Sequence, residues 1–177
     1  MKHSNQHFNK VHFYWADKSS SILEILKQNV NSCSNSSTFC SPNVILFGGG
    51  HWDHVVHGTK LSKFKQENLE IVNYLNNYKL INKNLSVIYA NMVSRYEGRN
   101  QTIIYSRIRA WVNSISNMML NANISILDYF HITDPRYELY DGVHIGFQNK
   151  KNNRILERDV VHNLFRILQK HKNNSNL

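Results

Sequence analysis

Apolar and polar positions alternate along this chain in two rhythms, one of strands and one of helices. Residues 11–15 (Val-His-Phe-Tyr-Trp) are β-prone and predict a first strand. Residues 16–21 read as a turn rich in N-cap residues, and Ile22, Leu23, Ile25 and Leu26 then follow helical spacing. Residues 29–42 form a polar Ser/Asn-rich loop closed by Ser41-Pro42. Residues 43–47 are a short, mostly apolar run, as expected of a strand buried on both faces of a sheet. It ends in Gly48-Gly49-Gly50-His51-Trp52-Asp53-His54. Leu61, Phe64, Ile71, Val72 and Leu75 mark an amphipathic helix over 60–79. Residues 85–90 predict the next strand, and a polar loop through Arg95 and Arg99 follows. Ile104, Ile108, Trp111, Val112, Ile115 and Met119 predict a long helix. Residues 124–129 read as the last strand and 130–153 as a loop. Leu156, Val160, Leu164, Phe165 and Leu168 give the final helix, with a polar, frayed end after Lys170.

Strands alternating with helices of this length imply crossover units and a parallel sheet with helices on both faces. In such a sheet the loops that carry function lie at the carboxyl ends of the strands. Two loops qualify: the triple-glycine loop at 48–50 and the long loop containing Asp141 and His144. The expectation is that they share one edge.

Composition narrows the picture further. A chain of 177 residues is one domain with room for a core. The expected boundaries are a disordered lead-in over 1–9, a domain over 10–171 and a disordered tail over 172–177. No apolar run approaches the roughly 18 residues of a membrane span. The first ten residues are polar, so no signal peptide is visible. The formal charge of +9 would suit an anionic partner, but the Lys and Arg are scattered and Asn is abundant at 25 residues. Such a bias reads as codon usage rather than as a functional basic patch. No zinc-finger spacing is present and the aromatics follow core periodicity, so nucleic acid is not expected as a partner. Cys33 and Cys40 sit in the polar loop, and either a local disulfide or two free thiols fits them. Asn-x-Ser/Thr sequons occur at Asn35, Asn84, Asn100, Asn123 and Asn173, several of them expected by chance in so Asn-rich a chain.

Candidate chemistry centres on Tyr140-Asp141-Gly142-Val143-His144-Ile145. An acid three residues before a His, in a loop with a Gly, can form half of a catalytic triad. The His removes a proton from a nucleophile, and the Asp fixes the imidazole's tautomer and stabilises its charged form. Asp-x-x-His also occurs at Asp128/His131 and Asp159/His162. The last lies within a helix pattern and reads as a solvated face. The first begins where a strand pattern ends. Asp128 there reads as a loop-organising carboxylate or as a catalytic one, with His131 beside it. In the triple-glycine loop, Gly lets the backbone approach a bound group and aim an N–H at it, and the His51 ring could add a second donor. An oxyanion held this way gains roughly 3–4 kcal/mol per donor. The competing reading is a tight turn with a buried Trp52.

These two segments resemble blocks of the SGNH/GDSL hydrolases. Residues 140–145 look like the block whose Asp-x-x-His supplies the triad acid and base. Residues 45–53 look like the oxyanion block, which is closer to Gly-His-Trp in the PC-esterase branch. That branch includes the neurexophilin-and-PC-esterase proteins and plant wall-polysaccharide O-acetyltransferases. The resemblance spans residues 11–170. It implies a three-layer α/β sandwich on a parallel sheet, SGNH-hydrolase-like and flavodoxin-like. It also implies Asp141 and His144 as catalytic acid and base, Gly50 and His51 as the oxyanion hole, an acylated carbohydrate or other ester as substrate, and a secretory or extracellular home. No cofactor is implied.

One departure stands out, because no Gly-Asp-Ser block exists here. Ala16-Asp17-Lys18-Ser19 imitates it, but only about thirty residues separate Ser19 from Gly50, too few for the family's intervening elements. Ser19 or Ser20 as nucleophile therefore competes with a plain helix N-cap. The better match makes residues 11–15 the second family strand, with the first strand and its serine missing. The chain then reads as a fragment, an inactive relative, or a domain that finds a replacement strand elsewhere, since an unpaired strand edge is an aggregation hazard. The expected function is an esterase- or acetyltransferase-like domain with little or no turnover. The alternative is a catalytically silent module that binds carbohydrate or protein. Two smaller readings remain. His51, Asp53, His54 and His57 hold usable zinc ligands if one element presents them together. Arg95 and Arg99 read as substrate contacts or as solvated loop charge.

Overall fold

Three short strands, β1 (Val44–Gly48), β2 (Ser86–Ala90) and β3 (Ser125–Leu127), pair in parallel in the order β1-β2-β3. The structure is a computed structural model, and it describes residues 12–31, 42–92, 101–134 and 150–174. The helices are α1 (Ser19–Asn31), α2 (His51–Val55), α3 (Leu61–Ile81), α4 (Gln101–Asn121), α5 (Tyr129–Thr133) and α6 (Lys150–Asn174). The protein is an α/β fold with helices packed on a parallel sheet.

Side chains alternate across a strand, so the register assigns each sheet face its own residues. Ile45, Phe47, Val87, Tyr89 and Ile126 point to one face. They meet Ile22 and Leu26 of α1, Phe64, Ile71 and Leu75 of α3, and Ile108, Trp111, Ile115 and Met119 of α4 in one core. A sheet wound in one direction with crossovers of one hand keeps its crossover helices on one side. That accounts for α3 and α4 lying together, with Phe64 stacked on Trp111 at 4.7 Å between ring centroids. Each fully buried Ile, Leu or Phe here contributes about 1.5–3 kcal/mol, so this face carries most of the apolar stabilisation.

The second face holds Val44, Leu46, Ser86, Ile88, Ser125 and Leu127. Helix α6 packs on β3, with His171 Nε2 and Ser125 Oγ 2.9 Å apart, and Ile88 and Leu127 are buried. Val44 and Leu46, in contrast, are 43% and 48% exposed. The run at 43–47 is therefore not buried on both faces as its composition suggested. Among the described residues β1 pairs with β2 alone and forms an outer edge of the sheet.

Other expectations shift at their ends. Residues 12–16 take no strand conformation, and Phe13 and Trp15 stand out at 82% and 67% exposed. The β-prone side chains are present, but no described strand supplies them with hydrogen-bond partners. The last strand stops at Leu127, because the Asp128 carboxylate accepts the His131 N–H and starts α5. Helix α6 continues through Asn174, past Lys170. Its Phe165 is 60% exposed rather than core. Arg95, Arg99, Cys33 and Cys40 lie outside the described residues. No helix among the described residues is long and apolar enough to cross a membrane.

Candidate functional site

The carboxyl ends of β1 and β2 open into a cleft of about 300 Å³. Gly48, Gly49 and Gly50 form one wall, Asn91 and Tyr129 another, and Trp15 and Trp52 stand at its margins. A wider groove of about 630 Å³ lies between α3 and α4, away from the sheet ends. Its lining is mostly amide and apolar, with Lys65 its one titratable side chain, so acid–base chemistry points to the sheet-end cleft.

Two glycines shape that wall. A Cβ on Gly48 would lie 2.5 Å from the Ala90 carbonyl oxygen, so β1 and β2 could not pair this closely with a larger residue. Gly50 has φ 112° and immediately precedes α2. A side chain there would be strained by the backbone angle and would meet Met92 Sδ and Phe64 Cζ, each at 2.7 Å. Helix α2 follows directly, and its first residue is His51, whose ring lies outside the described residues. Trp52 is part-exposed at the cleft, in contrast to the buried Trp of the tight-turn reading.

Asp53 faces inward and is fully buried with Ser19. The Ser19 N–H donates to both carboxylate oxygens, at 3.3 and 3.2 Å, and Ser19 Oγ donates to Oδ2 at 3.1 Å. Asn68 Nδ2 donates to Ser19 Oγ at 3.4 Å and to the Phe64 carbonyl at 2.9 Å. The first N–H groups of a helix have no partner within it. Here a carboxylate from a neighbouring helix supplies the acceptor. Ser19 is thus not the N-cap of α1 but its first helical residue, capped from across the fold. A hydroxyl 1% exposed and held by two side chains is placed to tie α1, α2 and α3 together, not to attack a substrate.

The remaining zinc candidates turn apart. His54 packs edge-on against Trp111, and burial, with Arg107 nearby, pushes its pKa down. His57 lies 3.6 Å from Asp17. Among the described residues no group of three or more His, Cys, Asp or Glu gathers as a metal site.

A second acid–base cluster occupies the ends of β2 and β3. Asp128 Oδ2 lies 2.6 Å from His131 Nδ1. Asp128 Oδ1 accepts from the His131 N–H at 3.2 Å and from Asn91 Nδ2 at 2.9 Å. Asn91 Oδ1 accepts the Phe130 N–H at 2.9 Å. The His131 ring stands edge-on to buried Phe130, with its side chain 66% exposed. The loop-organising reading of Asp128 accounts for its bond to the His131 N–H, and the His131 ring joins the same carboxylate. Asp141 and His144, the sequence's own acid and base, lie outside the described residues. The Asp159/His162 match lies on α6, with His162 exposed, in keeping with a solvated helix face.

Comparison with protein-family models, with curated proteins and with solved structures returns no match.

Proposed function

We propose that this chain is a domain of the SGNH/PC-esterase type that handles acyl esters, with an O-acylated carbohydrate as the substrate class. The observation that carries this reading is Gly50, in the left-handed region, in the wall of a cleft at the carboxyl edge of a parallel sheet. That is where a backbone N–H would hold the oxyanion of an acyl-transfer intermediate. In this reading His144 is the base and then the acid, Asp141 orients it, and Gly50 with His51 holds the oxyanion. The serine block is the part without a counterpart, and Ser19 does not replace it, being buried and tied to Asp53.

The test is fluorophosphonate labelling of the purified protein with adduct mapping by mass spectrometry, run beside hydrolysis of p-nitrophenyl acetate and a His144→Ala control. Hydrolysis that depends on His144 supports the reading. An adduct on Ser19 would overturn the structural role given to that residue. A protein that neither labels nor hydrolyses favours a second reading, a catalytically silent carbohydrate-binding module. Its supporting observation is the pair Trp15 and Trp52 at the cleft margins, since exposed indoles offer flat apolar faces to sugar rings. Calorimetric titration with an O-acetylated oligosaccharide, lost in Trp52→Ala, would support it.

A further inference from the structure

We infer that Asp128 and His131 form a second acid–base pair of this domain, in which His131 activates water for direct attack on the ester. The inference rests on the ester reading above but uses neither His144 nor a serine. Three features lead to it. The imidazole Nδ1 sits 2.6 Å from Asp128 Oδ2, the contact that fixes a tautomer with hydrogen on Nδ1 and a lone pair on Nε2. The carboxylate is itself held, because Asn91 donates to its other oxygen at 2.9 Å and is locked in turn by the Phe130 N–H. The ring is exposed, and its Nε2 makes no hydrogen bond to a described residue.

Helix capping alone explains only part of this. A capping Asp needs the His131 N–H, which it has at 3.2 Å. Capping requires neither the imidazole on Oδ2 nor the Asn91 brace. Asn91, which holds Asp128, and Tyr129, the next residue along the chain, both line the cleft, so the carboxylate is tied to the cleft wall through Asn91. An oriented base held by a braced carboxylate is the arrangement general-base catalysis requires.

The step balances without another reactant. His131 Nε2 takes a proton from water as the water oxygen attacks the ester carbonyl carbon, and the carbonyl π electrons move to oxygen. The tetrahedral oxyanion then re-forms the carbonyl and breaks the bond to the alcohol oxygen, which takes the proton back from Nε2. Ester and water become acid and alcohol, and the imidazole returns to its starting form. Asp128 and Asn91 are positioning residues and touch no reacting atom.

The test uses the full chain and two readouts. The first is diethyl pyrocarbonate modification mapped by mass spectrometry. His131 is expected to react several-fold faster in the unaltered protein than in Asp128→Asn, where the amide can donate to Nδ1 and leave Nε2 protonated. Equal rates would overturn the oriented pair. The second is p-nitrophenyl acetate hydrolysis. In a His144→Ala background, His131→Ala is expected to lower the remaining kcat roughly 100-fold, with His131→Gln as a second variant and circular dichroism melts confirming that both fold. Remaining hydrolysis unchanged in both variants, or hydrolysis lost altogether in His144→Ala, overturns the inference and leaves the ester reading standing. Hydrolysis abolished by fluorophosphonate, with an adduct on a serine, overturns water as the attacking group. No hydrolysis by the unaltered protein overturns the water step together with the ester reading.

Discussion

Two aspartates start two helices at the same end of the sheet, and they do so in opposite environments. Asp53 is sealed among α1, α2 and α3, and its partners are a serine hydroxyl, a backbone N–H and, through that serine, Asn68. Asp128 is half-exposed at the tips of β2 and β3, and its partners are a braced amide and a solvent-facing imidazole. The hydrogen-bond patterns are similar and the consequences differ. A buried polar group must find its partner within the protein, because water cannot replace it, so the Asp53 cluster is a structural tie. An exposed pair contributes little to stability. An imidazole held at one nitrogen and open at the other is free for chemistry.

The sharpest test of this contrast is Asp53→Ala. It strands the buried Ser19 N–H and Oγ, at about 1–3 kcal/mol for each unsatisfied donor, and should cost about 3 kcal/mol or more in urea unfolding. Asp128→Ala removes an N-cap that water can partly replace, for a loss of about 1 kcal/mol. Equal losses would break the contrast. Between these lies Gly50→Ala, expected to cost about 2–3 kcal/mol. Met92 is flexible and can move aside, but fully buried Phe64 cannot, and φ 112° disfavours any side chain.

Histidines placed deeper than His131 predict a pH effect. His54 is shifted below the ordinary value of 6.5 by burial and then by Arg107. His171 is shifted down by burial and then by Lys79 and Lys170. Both fold best when neutral. The unfolded chain binds more protons below about 6.5, so stability should be full above that pH and fall as pH drops through the window beneath it. Glu67 is shifted up by burial and then by Asp53, so its protonation favours the folded state as pH falls and opposes the histidines. Thermal melts from about pH 7.5 down to about pH 5.5 should show a falling Tm, with a smaller fall in His54→Gln. A flat profile would sink the prediction.

The smallest expected effect is Leu46→Lys, within about 0.5 kcal/mol, because that side chain is half-exposed on the open face of β1. A loss several times larger would mean that another segment covers this face, and would reopen the question of a strand beside β1.

Much of the architecture was legible because periodicity reports burial directly. The stripe from Ile108 to Met119 and the run from Val87 to Tyr89 are core in the structure. The parallel sheet followed from the spacing of strands and helices, and the glycine loop does stand at the end of β1. Periodicity could not say how far a strand's second face is covered, which is why Val44 and Leu46 were expected inside. Nor could it give residues 12–16 a strand partner. The Asp-x-x-His spacing at Asp128 was visible, but not its brace, because Asn91 lies just past the end of β2, thirty-seven residues away in the chain.

Local spacing along the chain thus marked the long helices α1, α3, α4 and α6 and the three strands, but not the short helices α2 and α5, and it predicted a strand at 11–15 where residues 12–15 form none. Tertiary packing alone decided what each aspartate does. A carboxylate's role depends on whether water reaches it and on which donors converge on it, and those donors come from distant parts of the chain. Ser19 and Asp53 are 34 residues apart, and the fold joins them. Asp128 and His131 are three apart, and the fold leaves their outer side in solvent.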